Sequence, residues 1–483
     1  MLKQQEIKEL LKKHDDNDML SRRDALKLMG ISPIAAGVLA SSSSSSISSA
    51  QAADVTGKIV IVGGGAGAIM AAARLSSGIS NPDITIIAPN EFHIYQPGQV
   101  FQAAGLYTHE DLIKPNSDFI PSDVKWIKDE VASFDPENNT LVTRDGQDIS
   151  YDYLVVAAGI DYHYDWIRGL KEEDIGTHGI SSVYLNHFEK GTTEGGSITW
   201  DWFNALKEAS ASGEKKPRVI YTQPNTAIKC GGAPQKILYL SADHLKKEGL
   251  SAEYTFATAG GKLFGLKPIA DSLHEVQKQY DTITNKFKHN LIAIDKYAKI
   301  ATFEHTYEIK GAYDEELEEY DTTTKRELVE LEYDFIHVVP PMTAAKAVHK
   351  SLLGWQKGTG KGWLEVDKET LQHRRFKNVF GIGDVCGIPM GKTGGSARHH
   401  APIMVSNLIA EMQNKELTEK FDGYTVCPLK VEYGKIIMAE FNYDGLAPSV
   451  PFLAPENPSR LWWFFDLHML KPMYWYLMMR GLM

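Results

Sequence analysis

One short stretch restricts this chain more than any other. Lys58-Ile59-Val60-Ile61-Val62 is an unbroken apolar run of strand length. Gly63-Gly64-Gly65-Ala66-Gly67-Ala68 follows at once, and Ile69 to Leu75 continues as a helix. Strand, glycine turn and helix with G-x-G-x-x-A spacing predict the opening unit of a dinucleotide-binding fold. Gly63 permits the tight turn. Gly65 lets the backbone approach a pyrophosphate resting on the helix N-terminus, and Ala68 keeps helix and strand in close contact. A second strand is predicted over 83–88. The ribose-binding acid expected at its end is replaced by Ala88, which leaves Asn90 or Glu91 to substitute.

At 483 residues the chain has room for two or three domains. Its 43% hydrophobic and 23% charged residues exclude disorder and a multi-span membrane protein. A net charge of −11 without a long basic cluster argues against a nucleic-acid partner. Three cysteines (Cys230, Cys386, Cys427) are too few for a disulfide scaffold, and no metal-ligating cluster is read.

Both ends stand apart from the predicted core. Ser21-Arg22-Arg23-Asp24-Ala25 precedes an apolar stretch, Leu28 to Ala40, then a serine run and Ala50-Gln51-Ala52-Ala53. These are the parts of a cleaved export signal over residues 1–52, of twin-arginine type, although Ala25 stands where an aromatic is usual. The alternative is an amphipathic helix before a Ser-rich linker. At the other end, 461–483 holds seven aromatic side chains and few charges, with Pro472 dividing it into two helical halves. Its apolar runs are too short to span a bilayer. The stretch is expected to lie in one leaflet as an amphipathic anchor, the alternative being a tail docked on the protein's own core.

Two further segments bear on which dinucleotide is held. Tyr151 to Gly159 is an acidic-tipped strand closing on small residues, and Asn378-Val379-Phe380-Gly381-Ile382-Gly383-Asp384 is a strand ending in Gly-Asp. Both resemble motifs of the two-dinucleotide-domain flavoproteins, in the expected order, and so imply FAD. Gly159, Gly383 and Asp384 join Gly63, Gly65, Ala68, Asn90 and Gln96 as candidate cofactor residues. The fold class is therefore α/β, with two Rossmann-like domains. The expected divisions are 53–165 and 335–422 for the FAD-binding domain, 166–334 for the second domain, and 423–460 for a C-terminal region before the tail. In the second domain the strand Pro217 to Thr222 runs into Gln223-Pro224-Asn225 with no second glycine fingerprint, and Pro224 removes a backbone donor. NAD(P)H is therefore not expected as electron source.

Cys230 lies in Lys229-Cys230-Gly231-Gly232-Ala233-Pro234, just before a predicted helix from Gln235 to Lys247. Cys386 lies two residues after Asp384. A thiol near a helix N-terminus and Lys229 or Lys392 is expected to be acidified. Cys427 has no such context and reads as structural. These pieces, together with His93-Ile94-Tyr95-Gln96-Pro97 and Lys392-Thr393-Gly394-Gly395, resemble the sulfide:quinone oxidoreductases and the flavoprotein subunit of flavocytochrome c sulfide dehydrogenase.

The resemblance implies attack of HS⁻ on a Cys230–Cys386 disulfide or trisulfide, with Cys386 facing the flavin. It implies that Lys392 stabilises the reduced flavin, and that electrons leave to a membrane quinone near the tail. Tyr433 and Phe441 are candidate quinone-slot residues, with core packing as the alternative. His399 and His400 are acid–base candidates by proximity to Lys392. With the export signal and the tail, the expected location is the periplasmic face of the cytoplasmic membrane, peripherally bound, with a homo-oligomer left open. A c-type cytochrome acceptor and a type II NADH:quinone dehydrogenase are the competing activities.

Overall fold

The computed structural model describes residues 52–483 except 214, 281–282, 315–318 and 451–452. The twin-arginine segment lies outside the described residues. Ala53 is already tied to the fold, its N–H donating to Gly78 O at 2.8 Å.

The first apolar run forms β1 (Lys58–Val62), and α1 (Ala66–Gly78) follows the glycine turn. Next come β2 (Asp83–Ile87), β3 (Lys125–Ile127) and β4 (Tyr153–Val156). The chain then builds a second parallel sheet from β5 (Ile180–Ser181), β6 (Arg218–Gln223), β7 (Glu253–Thr258), β8 (Ile283–Phe287) and β9 (Phe335–His337). Its order is β5-β9-β6-β7-β8. The chain returns in β10 (Val379–Gly381), completing the first sheet in the order β10-β4-β1-β2-β3. Every pairing in both sheets is parallel. Their strands are accordingly short apolar runs covered on both faces. Because β9 pairs with β5 and β6, the second unit continues through His337, past the expected limit at 334.

An antiparallel three-stranded sheet, His289–Asp295, Ile300–Asp314 and Glu319–Glu332, is inserted between β8 and β9. Within the second unit α2 (Ala233–Lys246) buries Ile237, Leu238 and Leu240 against Val219 and Tyr221. After β10, α3 (Gly394–Met412) packs across α1.

The hairpin β11 (Thr425–Glu432) and β12 (Lys435–Asn442) has two buried faces. Period-two alternation sends Cys427, Leu429 and Val431 into the core of the second unit. The same alternation sends Val426, Pro428 and Lys430, with Met438 and Glu440 opposite, toward the cavity under the tail.

The tail runs through α4 (Arg460–Phe464), a π turn (Phe465–Met469) and α5 (Leu470–Tyr476). The helical stretch runs on through Pro472 and does not divide there as expected; the π turn lies N-terminal to it, and the whole stretch lies on the protein. Trp462, Phe465, Tyr474 and Trp475 are buried, Trp463 and Phe464 are half-buried, and Tyr476 is exposed. Trp475 stacks on Phe119 with ring centres 5.3 Å apart. Most of the aromatic area expected to meet a leaflet is covered by the chain itself. Among the described residues, no helix is long and apolar enough to cross a membrane.

Candidate active site with a cysteine pair beside a dinucleotide cradle

A cavity of about 320 Å³ opens where the two sheets and the tail meet. Gly65, Gln96, Gly159, Cys230, Gly383, Asp384 and Lys392 all line it. Gly63 sits just behind at φ +123°, and a Cβ there would lie 2.3 Å from Ala157 O, so only glycine closes this turn. Gly65, Gly159 and Gly383 face open space instead. That leaves bare backbone for a large planar, phosphate-bearing ligand at the N-terminus of α1. Ala68 is fully buried, consistent with the small residue required there. Asn90 Nδ2 donates to Gly64 O at 3.3 Å and to Phe92 O at 3.0 Å, so it braces the turn from behind. Glu91 is paired with Lys128. These residues fit FAD, whose pyrophosphate the α1 turn would hold and whose ribityl chain Asp384 would reach.

Sequence reasoning missed Asn116 in this cradle. It is fully buried and donates to Gly64 O and Asn90 O, while its Oδ1 lies 3.0 Å from His93 Nδ1. The other ring nitrogen of His93 lies 2.5 Å from Tyr474 OH, so the glycine turn is linked to the tail.

The cysteines are the principal correction. Cys230 Sγ lies 2.8 Å from Cys427 Sγ. That is longer than a disulfide, at about 2.05 Å, but close enough for these two sulfurs to be the bridged pair. The expected partner, Cys386, is absent from the cavity lining. It is buried in a separate core with Leu364 and Val366, and burial pushes its thiol up to about 12. The inference from Asp384 failed because the turn after it (Gly383–Val385) points the side chain of residue 386 away from the cavity and back under β10.

The local sequence explains this approach. Cys230 has φ +84°, a conformation that costs a non-glycine residue about 1–3 kcal/mol. Gly232 then lets the loop close on β11: a Cβ there would stand 2.1 Å from Leu429 Cδ2 and 3.1 Å from Cys427 Sγ. Alternation along Val426-Cys427-Pro428-Leu429 was the available signal for the direction of Cys427.

Lys236, in the first turn of α2, donates to Cys230 Sγ at 3.3 Å. The hydrogen bond from Cys427 chiefly holds the Cys230 thiol below its ordinary value; Lys236 and Lys430 add to this, and burial opposes it. Cys427 is pushed the other way by the same bond and by burial. Burial works against charge on Lys236, yet Cys230, Cys427 and Asp466 keep it protonated. The lysines singled out from sequence, Lys229 and Lys392, line the same cavity. Lys229 donates to Gln96 Oε1, and burial lowers it to about 8. Lys392 donates to Asp384 O at 2.6 Å and Cys386 O at 2.7 Å and lies over the Trp363 ring.

Neither candidate histidine is directed at the sulfurs. His400 Nδ1 accepts from Gly383 N–H, and His399 stacks on Tyr424. Phe441 packs edge-on against Phe264, and Tyr433 donates to Ala104 O, so both serve the core of the second unit.

Two parallel-sheet nucleotide folds, a glycine cradle and a sulfur pair between them define a flavin-dependent disulfide oxidoreductase. Residues 57–189 match the pyridine nucleotide-disulphide oxidoreductase family. The mitochondrial sulfide:quinone oxidoreductases of Dictyostelium discoideum and Mus musculus are 36% and 34% identical to this chain, each over 88% of it and 86% of the relative. The solved sulfide:quinone oxidoreductase of Aquifex aeolicus superposes with a TM-score of 0.65 at 20% identity, covering 85% of this chain and 89% of that one. The chain belongs to the sulfide:quinone oxidoreductase family.

Proposed function

We propose that this chain oxidises sulfide at Cys230 and Cys427 and passes the two electrons to a quinone. The observation that carries the reading is the 2.8 Å approach of those sulfurs beside the FAD cradle, with Lys236 on one of them.

With the pair bridged, HS⁻ attacks Cys427 Sγ, the S–S bond breaks, and Cys230 leaves as thiolate. The lower-pKa thiol is the better leaving group. The N-terminus of α2 and Lys236 hold the resulting charge. A second HS⁻ takes the sulfane sulfur as HSS⁻ and leaves a thiol on Cys427. Re-forming the S–S bond then releases one proton and two electrons. FAD, when bound, supplies the two-electron acceptor beside Cys230. Gly63, Gly65, Ala68, Asn90, Gln96, Gly159, Gly383 and Asp384 are the residues proposed to shape its site. Lys392, tied to two carbonyls, is proposed to keep the Asp384 and Cys386 turns in place.

NADH is disfavoured as donor because β6 ends in Gln223-Pro224 without a glycine turn, and the type II NADH:quinone oxidoreductase of Staphylococcus haemolyticus matches only 24% of this chain. Residues 1–52 are proposed as a cleaved export signal, which fits Ala53 being already held by the fold. Half-buried Trp463 and Phe464 and exposed Tyr476 and Leu482 are the proposed membrane-facing part of the tail.

Anaerobic sulfide should bleach the flavin absorbance of the purified protein within seconds, and a quinone analogue should restore it. NADH should do neither. Bleaching by NADH and not by sulfide would replace this reading with the dehydrogenase one. Restoration by cytochrome c and not by quinone would replace the acceptor. Purified chain should float with liposomes; failure to float would remove the membrane-facing role. An N-terminus found near Ala53 fits export, whereas a mature chain retaining Arg22 and Arg23 would contradict cleavage.

A further inference from the structure

The chemistry proposed above leaves one proton unaccounted for. Quinone becomes quinol by taking two electrons and two protons, and the sulfur pair releases one proton, so 2 HS⁻ + quinone + H⁺ gives HSS⁻ + quinol. The acceptor side must supply a proton inside an apolar cavity.

On that side, the β11–β12 face turned from Cys427 carries Lys430, and the tail places Asp466 against it. Lys430 Nζ lies 2.5 Å from Asp466 Oδ2, with the two side chains 2% and 1% exposed. Both line the cavity, beside Pro428, Met438, Trp462 and Phe465. Asp466 Oδ2 accepts from the Lys430 ammonium, whereas its buried Oδ1 has no hydrogen-bond partner among the described residues. Glu440, further along the same face, contrasts with it. It accepts from Tyr424 OH, Ser449 N–H and Ser449 Oγ. Asp466 sits in the π turn, a local departure from the α-helix that often marks functional positions.

A fully buried ion pair contributes little net stability over an apolar pair of the same volume. Burial and nearby Lys236 make the Lys430 ammonium give up its proton more readily than one in water, while Asp466 opposes them.

We propose that Lys430 is the proton donor to the quinone oxygen and that Asp466 is the positioning residue holding the ammonium at the cavity wall. The inference rests on the quinone reading. The Lys430 N–H bond breaks and the quinol O–H bond forms; the neutral amine then takes a proton from water reaching the cavity.

The test separates the two half-reactions in the FAD-loaded protein. Breaking a buried ion pair can unfold a chain, so the central variant is the double replacement Lys430→Met with Asp466→Leu, which leaves no uncompensated charge. Sulfide should still bleach its flavin, slowed by no more than about tenfold, because Lys430 is the smaller of the two cationic supports of Cys230. Re-oxidation by decylubiquinone should be at least about 100-fold slower, while binding of decylubiquinone, read by tryptophan quenching, changes less than about threefold. Asp466→Asn should slow re-oxidation, Asp466→Glu should restore most of it, and the wild-type step should show a solvent deuterium isotope effect that the double variant lacks. Wild-type re-oxidation in the double variant would overturn the proposal. So would an equal slowing of both half-reactions or a loss of binding that accounts for the slowing. If sulfide fails to bleach the wild-type flavin at all, the sulfide reading itself falls.

Discussion

At the scale of single residues, the site depends on how one thiol is held ionised. Cys230 has four aids: the S–H of Cys427, the ammonium of Lys236, the more distant charge of Lys430, and its place before the N-terminus of α2. Because the folded pKa of Cys230 is depressed, its thiolate persists below the range in which a free cysteine protonates. Removing a charge partner raises that pKa again. Lys236→Met should therefore lower the rate of Cys230 alkylation by iodoacetamide in the reduced protein about fivefold at pH 5, the loss of thiolate expected when a pKa of about 5 rises by about one unit. The difference should fade as pH rises above the shifted value. Equal rates at pH 4.5 and pH 5 in wild type and variant would show that Lys236 is only a packing residue.

Among the elements, the hairpin β11–β12 and the tail were the hardest to place from sequence, and the reasons differ. The glycine turn, β1, β2, β4 and β10 were legible because each pairs a short apolar run with a motif whose residues cannot be exchanged: Gly63 has no room for a Cβ. Cys427 was not legible. Its partner is 197 residues away, and only the two-residue period of β11 tells which way it points. The tail misled for a related reason. Aromatic composition gives the area available for burial but not what buries it, and here α1, Phe119 and the hairpin cover four of the seven rings. The tail is consequently structural as well as functional. Trp475→Ala, which removes the ring stacked on Phe119, should cost about 3–5 kcal/mol and lower the urea midpoint accordingly. Truncation before Leu461 should weaken FAD binding by opening the cavity wall formed by Trp462, Phe465 and Tyr474. A truncated protein with wild-type stability and FAD content would mean that the tail is held only loosely.

In the molecule as a whole, two nucleotide folds have separate tasks. The first presents bare glycine backbone and Asp384 to the cavity, while the second replaces a nucleotide loop with one that carries Cys230. The C-terminal hairpin closes the gap between them. One face delivers Cys427 to the sulfur side, and the other carries Lys430 under the tail. On the proposed reading, Cys427 and Lys430 serve the two half-reactions from opposite faces of this hairpin. The proposed chemistry depends on which two sulfurs meet, so the most direct test is mass spectrometry of the oxidised, non-reduced protein, digested after free thiols are blocked in denaturant. It predicts a sulfur-linked pair of peptides containing Cys230 and Cys427, directly or through an added sulfur atom, with Cys386 recovered alkylated. A link between Cys230 and Cys386, with Cys427 alkylated, would contradict it.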